Sequence, residues 1–164
     1  MNKNISFKIK TVAFPRIESL FIDKPLAVEF QQSYRIEGLI VDDKNLRLLF
    51  GLKLVSTELV NGKTPKIQVT IEAIADFEFD DAIPSVSHIS EIPLAGNMLA
   101  LIYPFIREKV NYCLSNNGLA VFLPPINTIQ VVKESEGSAQ YKVVDARQSI
   151  ADSEKGKSIK KEKV

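Results

Sequence analysis

The feature that most restricts this chain is a stretch of helical periodicity, residues 93–118, that is apolar around most of its circumference. Pro93 fits a first helical turn, where its missing N–H costs little. Asn116, Asn117 and Gly118 make a favourable C-terminal stop. Between them the polar stripe is confined mostly to Asn97, Ala100, Pro104, Arg107, Glu108 and Asn111, while Met98, Leu101, Ile102, Phe105, Ile106, Val110, Cys113 and Leu114 cover the rest. A surface helix needs an apolar face of only about 100°. The surplus predicts cover on two sides. One cover is a sheet, and the other is either a second copy of the chain or residues 120–145 folded back.

The sheet is written upstream. Ile5, Phe7 and Ile9 alternate with Ser6, Lys8 and Lys10, the period of two of a half-buried strand, and Pro15 is expected to end it. Residues 34–41 make a second strand, followed by turn chemistry at Asp42, Asp43, Lys44 and Asn45. In the third strand Leu46, Leu48, Phe50, Leu52 and Leu54 share a face. An Asn61-Gly62-Lys63 turn leads to the fourth, where Ile67, Val69, Ile71, Ala73, Ala75, Phe77 and Phe79 oppose Gln68, Thr70, Glu72, Asp76 and Glu78. Short links between these strands imply an α+β fold: a four-stranded antiparallel sheet with the long helix packed on one face. Residues 80–93 form a long connection. After the helix, 119–122 and 127–132 are expected to be extended around Pro124 and Pro125, and 129–132 to pair with 141–144 in a small hairpin. This gives one domain, 1–145, and a flexible Lys-rich tail, 146–164. The tail is either a solubilising extension or a weak electrostatic contact to a motor, ribosome or anionic membrane.

Charge and composition narrow the function classes. With 45% hydrophobic and 25% charged residues the chain can build a core. Residues 1–132 carry 13 basic and 14 acidic side chains, which leaves no basic footprint for nucleic acid. A single cysteine, Cys113, makes no internal disulfide, and the polar opening residues are not a signal-peptide run, so a reducing cytoplasm is expected. No apolar run approaches the roughly 20 residues of a membrane helix. Catalytic chemistry finds little to build on. His88 is the one histidine and reads as a solvated loop residue, Cys113 as a small core residue, and the pairs Asp42-Asp43 and Asp80-Asp81 as turns. No Gly-rich phosphate loop is present. A non-enzymatic chain without metal or cofactor is expected.

Residues 94–127 carry a further pattern. An aromatic-Pro-aromatic-x-Arg-Glu helix core (Tyr103, Pro104, Phe105, Ile106, Arg107, Glu108) is followed by a Gly turn and a Leu-x-Pro-x-Asn segment (Leu123, Pro124, Pro125, Ile126, Asn127). This order resembles the signature of the SecB protein-export chaperones. The resemblance implies a homo-oligomer, a dimer of dimers with the long helices at its centre. It also implies ATP-independent holding of unfolded or secretory client proteins in apolar grooves and their transfer to the export motor ATPase, with no cofactor. By position, the groove would be lined by Phe77, Phe79, Ile83, Val86, Ile89, Leu123 and Ile126, with core packing an equal alternative for Phe77 and Phe79. Met98, Ile102, Phe105, Ile106, Val110 and Cys113 are candidates for the oligomer interface. Many family members are strongly acidic and end in an amphipathic helix that helps dock the motor; here 129–144 reads as strand and turn and the tail is Lys-rich. Two other readings stand beside the general holdase. One is a dedicated SecB-like chaperone for a single partner such as an antitoxin. The other is an enzyme or small-ligand protein on the same scaffold.

Overall fold

The structure is a computed structural model that describes residues 5–26, 29–135 and 140–148. Among these the elements run β1 (Phe7–Phe21), β2 (Phe30–Ile40), β3 (Asn45–Ser56), β4 (Leu59–Val60), β5 (Thr64–Pro65), β6 (Ile67–Phe79), α1 (Ala95–Asn116), α2 (Thr128–Glu134) and β7 (Tyr141–Asp145). A single 3-10 turn, Ile89–Glu91, precedes α1. The main sheet has the order β1-β6-β3-β2-β7, with β1, β6, β3 and β2 antiparallel and β7 parallel to β2. The four antiparallel strands expected from the alternating sequence are all present. The sheet has five strands, however, because 141–145 joins β2 instead of folding onto 129–132.

Local chemistry explains these departures. Asn127 caps a helix, its side-chain oxygen accepting from the Gln130 backbone N–H at 3.1 Å. This cap overrides the strand preference of Ile129, Val131 and Val132. Pro15 does not end β1, which continues to Phe21. As an edge strand β1 needs no donor from the proline, and its register slips between Ala13 and Arg16, so Pro15 sits in an irregularity. Asn61 and Gly62 both have positive φ, 52° and 68°, which closes the β4–β5 hairpin.

The core lies between one face of the sheet and α1. Ile36 and Ile40 of β2, Leu48, Phe50, Leu52 and Leu54 of β3, and Val69, Ile71 and Phe77 of β6 are fully buried there. They meet Met98, Leu99, Ile102, Ile106, Val110 and Leu114 of α1. The opposite face carries paired charges: Arg16 and Arg35 with Glu72, Arg47 with Asp76, and Lys8 with Glu78. At its C-terminus α1 closes in a Schellman motif. Gly118 has φ 74°, its N–H donates to Ser115 O at 3.0 Å, and Leu119 N–H donates to Leu114 O at 3.1 Å.

Residues 119–135 fold back over one flank of α1. The Tyr103 hydroxyl donates to Pro124 O at 2.7 Å, and Asn111 Oδ1 accepts from Leu123 N–H at 3.1 Å. Helix α2 crosses α1 at Gly96, where a Cβ would come within 2.8 Å of Ile129 Cγ1 and 3.0 Å of its Cα. The chain's own downstream segment therefore supplies part of the second cover. No described helix is long and apolar enough to cross a membrane. Residues 149–164 of the Lys-rich segment lie outside the described residues.

The close approach at Gly96 generates a prediction. Gly96→Ala leaves the helix backbone content but pushes α2 away, at a cost of about 1–3 kcal/mol. Thermal unfolding should register a Tm lower by about 2–4 °C per kcal/mol, where an exposed helical glycine replaced by alanine would instead gain stability.

Candidate functional site

The residues expected to line a groove separate into two groups. Phe77 and Phe79 are core side chains, and Phe7 packs edge-on to Phe77 with ring centroids 5.5 Å apart. Ile83, Ile89 and Leu123 are also buried. Val86 and Ile126 are half-buried at the margin of the core. The connection carrying Ile83, Val86 and Ile89 is pinned by its backbone. Ile83 N–H donates to Asp43 O at 2.7 Å, and Ser87 and His88 N–H donate to the Glu91 carboxylate at 2.8 and 3.0 Å. Those two donors hold the Glu91 carboxyl below its ordinary range. Within this pinned connection Ile83 and Ile89 are buried, and Val86 is half-buried.

The helix candidates divide similarly. Met98, Ile102, Ile106 and Val110 are fully buried against the sheet of their own chain. Cys113 is buried as well, and burial pushes its thiol pKa up. Phe105 alone of the six is on the outside, 45% exposed. Because the helix is apolar nearly all round, periodicity does not fix which side meets the sheet. The outward stripe is Leu101, Phe105 and Tyr112, at 45%, 45% and 64% exposure. Leu101 and Phe105 join Ile9 and Val12 of β1 and Pro104 around a shallow apolar groove of about 380 Å³. The Lys109 ammonium lies 5.6 Å from the centroid of the Phe14 ring, which ties β1 to α1 near this groove. Further along the β1 edge Ile17, Leu20 and Ile22 are exposed. Phe122, 77% exposed, and Ile129 present further apolar surface on the folded-back segment.

At the far edge of the sheet β7 is fastened by an ionic corner. The Arg147 guanidinium makes two bonds to the Asp145 carboxylate, 2.8 Å from Nε and 2.7 Å from Nη2. Its Nη1 reaches Asp43 Oδ1 at 3.1 Å and Ile83 O at 2.9 Å. Asp145 also accepts from Ser85 Oγ at 3.0 Å. Arg147 is the main cause that lowers the Asp145 carboxyl to about 2. Among the described residues no group of three or more His, Cys, Asp or Glu side chains is arranged to hold a metal ion.

No protein-family model matches the sequence, and no curated protein matches it. Among solved structures, a SecB-like chaperone of Mycobacterium tuberculosis in complex with a ChAD peptide from the HigA1 antitoxin is similar. It superimposes with a TM-score of 0.56 at 16% sequence identity, over 73% of this chain and 90% of that one. At that identity the likeness is one of fold: a mixed α+β sheet with one long helix, as in the SecB-like structure.

The burial of Phe77 has a direct consequence. Phe77→Ala should cost about 3–5 kcal/mol of unfolding free energy in chemical denaturation, because it opens a cavity between sheet and helix. A change below about 1 kcal/mol would place the ring on a surface open to ligands.

Proposed function

We propose that this chain is an ATP-independent chaperone that holds a partner polypeptide in a non-native, extended form, with no cofactor and no catalytic step. The observation that carries the reading is apolar surface left uncovered on a SecB-like fold: the β1–α1 groove, and Phe122 and Ile129 on the folded-back segment. Holding a chain unfolded requires such surface, which ordinary monomers keep small. The two surfaces divide the work. The β1–α1 stripe takes a second copy of the chain, giving a homo-oligomer. The segment carrying Phe122, Ile126 and Ile129, with the neighbouring Val86 loop, faces the client. Cys113, buried as a free thiol, suits a reducing cytoplasm.

A dedicated partner is favoured over general export clients. The similar solved structure is a complex with a peptide from one antitoxin. The general reading, with hand-over to an export motor, is the second one, supported by the resemblance of residues 94–127 to the export-chaperone signature.

The test dilutes a chemically unfolded, unrelated protein into buffer with this chain at equal subunit concentration and follows light scattering. Suppression without ATP, halved or worse by Phe122→Ser with Ile129→Ser, is expected of a general holdase. A folded chain that leaves scattering unchanged but raises the soluble yield of one co-expressed partner encoded beside it is expected of the dedicated form. Absence of both effects would contradict the proposal. Phe122 is 77% exposed, so Phe122→Ser alone should leave folding stability within about 0.5 kcal/mol, whereas Ile129→Ser also loosens the contact at Gly96, and the single Phe122→Ser variant separates the two effects.

A further inference from the structure

We propose that the outer edge of β2 is a docking site for an extended segment of a partner polypeptide, and that β7 occupies this edge as a built-in competitor which the partner displaces. The inference rests on the chaperone reading above and adds a strand-pairing site to the apolar surface assigned there to the client. An open strand edge presents unpaired N–H and C=O groups and is a ready template for another chain. Here β7 pairs with Ile36–Ile40, and Gln140 O accepts from Ile36 N–H at 3.0 Å. The pairing is parallel, which is slightly less stable per residue than antiparallel pairing, and it spans five residues. Lys142 and Val144 of β7 are exposed, so one face of the strand has no cover.

What β7 does contact describes what a partner must bring. Tyr141 and Val143 lie on the half-buried side, and Gly38 makes room for Val143 beside Ile89 and Ile92. A Cβ on Gly38 would lie 3.4 Å from Val143 Cγ2 and 3.2 Å from Ile89 Cδ1. At the end of the strand the fixed groups are acceptors and a hydroxyl: Asp43, the Ile83 carbonyl and Ser85. Arg147 and Asp145 satisfy them now, and both leave with β7. A competing segment therefore fits if it carries an aromatic residue, a β-branched residue two places on, an acid two further, and an arginine two beyond that. Main-chain bonds along the edge supply affinity, and the alternate pockets supply selectivity. The clamp is adjustable because Asp43 is 77% exposed and its ion pair with Arg147 is screened by solvent. While β7 is docked, the partner's apparent affinity falls in proportion to the rarity of the open state.

The experiment uses two probes: a fluorescein-labelled peptide of residues 140–148, and reduced, carboxymethylated lactalbumin as a permanently unfolded client. Arg147→Gln loosens the clamp. Leu39→Cys with Val144→Cys, in a Cys113→Ala background, locks it. Leu39 and Val144 are register partners lining the same depression on the outer face. Adjacent strands are about 4.8 Å apart, within disulfide reach. The peptide should bind the Arg147→Gln chain at least three-fold more tightly than the unaltered chain. It should not bind the cross-linked chain, and reductant should restore binding. Lactalbumin retention should follow the same order. Should Arg147→Gln fail to fold, Ser85→Ala loosens the same corner by two bonds, to Asp145 and from Gln148. Equal binding of both probes to the locked and unlocked chains overturns the proposal. Peptide binding in the expected order, with lactalbumin held by no form, upholds the strand exchange and overturns the general holdase reading alone.

Discussion

The burial of α1 against the inner face of the sheet is the interaction on which everything else in this chain depends. Met98, Leu99, Ile102, Ile106, Val110 and Leu114 lose all contact with water there. At about 1.5–3 kcal/mol for each fully buried side chain, they contribute on the order of 10 kcal/mol before conformational entropy is set against them. The paired charges on the opposite face are worth about 0–1 kcal/mol each. Hydrophobic packing therefore decides the fold, and the charge lattice keeps the outer face in water.

That same helix creates the problem the rest of the chain answers. It has more apolar circumference than a sheet can cover. Residues 119–135 take one flank, fixed by Tyr103, Asn111 and the notch at Gly96. The stripe of Leu101, Phe105 and Tyr112 stays open. The sheet has a matching problem at its two margins. β1 is a long edge strand with exposed Ile17 and Leu20, broken by the irregularity around Pro15. β2 is closed along Ile36–Ile40 by β7 and its ionic corner. Among the described residues this helix stripe and the β1 edge stay exposed, which is the surface the proposed contact with other polypeptides would use.

Legibility in the sequence followed the range of the interactions. β6 and β3 alternate strictly with one face buried, so their strand character and orientation were readable, and the α1 stop at Gly118 is local chemistry. The phase of α1 was not readable, because a helix apolar on all sides has no unique inward face. Met98, Ile102, Ile106 and Val110 are buried against the sheet of their own chain, while Phe105 of the same helix faces outward. Phe77 and Phe79 share the buried face of β6, and burial there is decided by the helix packed above it. β7 pairs with a strand about a hundred residues earlier, a non-local choice that periodicity does not encode. α2 was hidden behind its β-branched residues, although the Asn127 cap was in plain sight.

The central proposal is that a second copy of this chain covers the outward stripe of α1 and the β1 edge. Light scattering with size separation on the intact chain, from low to high micromolar concentration, tests it most directly. The account predicts a mass of at least twice the 18.3 kDa chain that drops to one chain when Leu101 and Phe105 are both replaced by glutamate. A monodisperse monomer throughout that range, with the stripe intact, would contradict it.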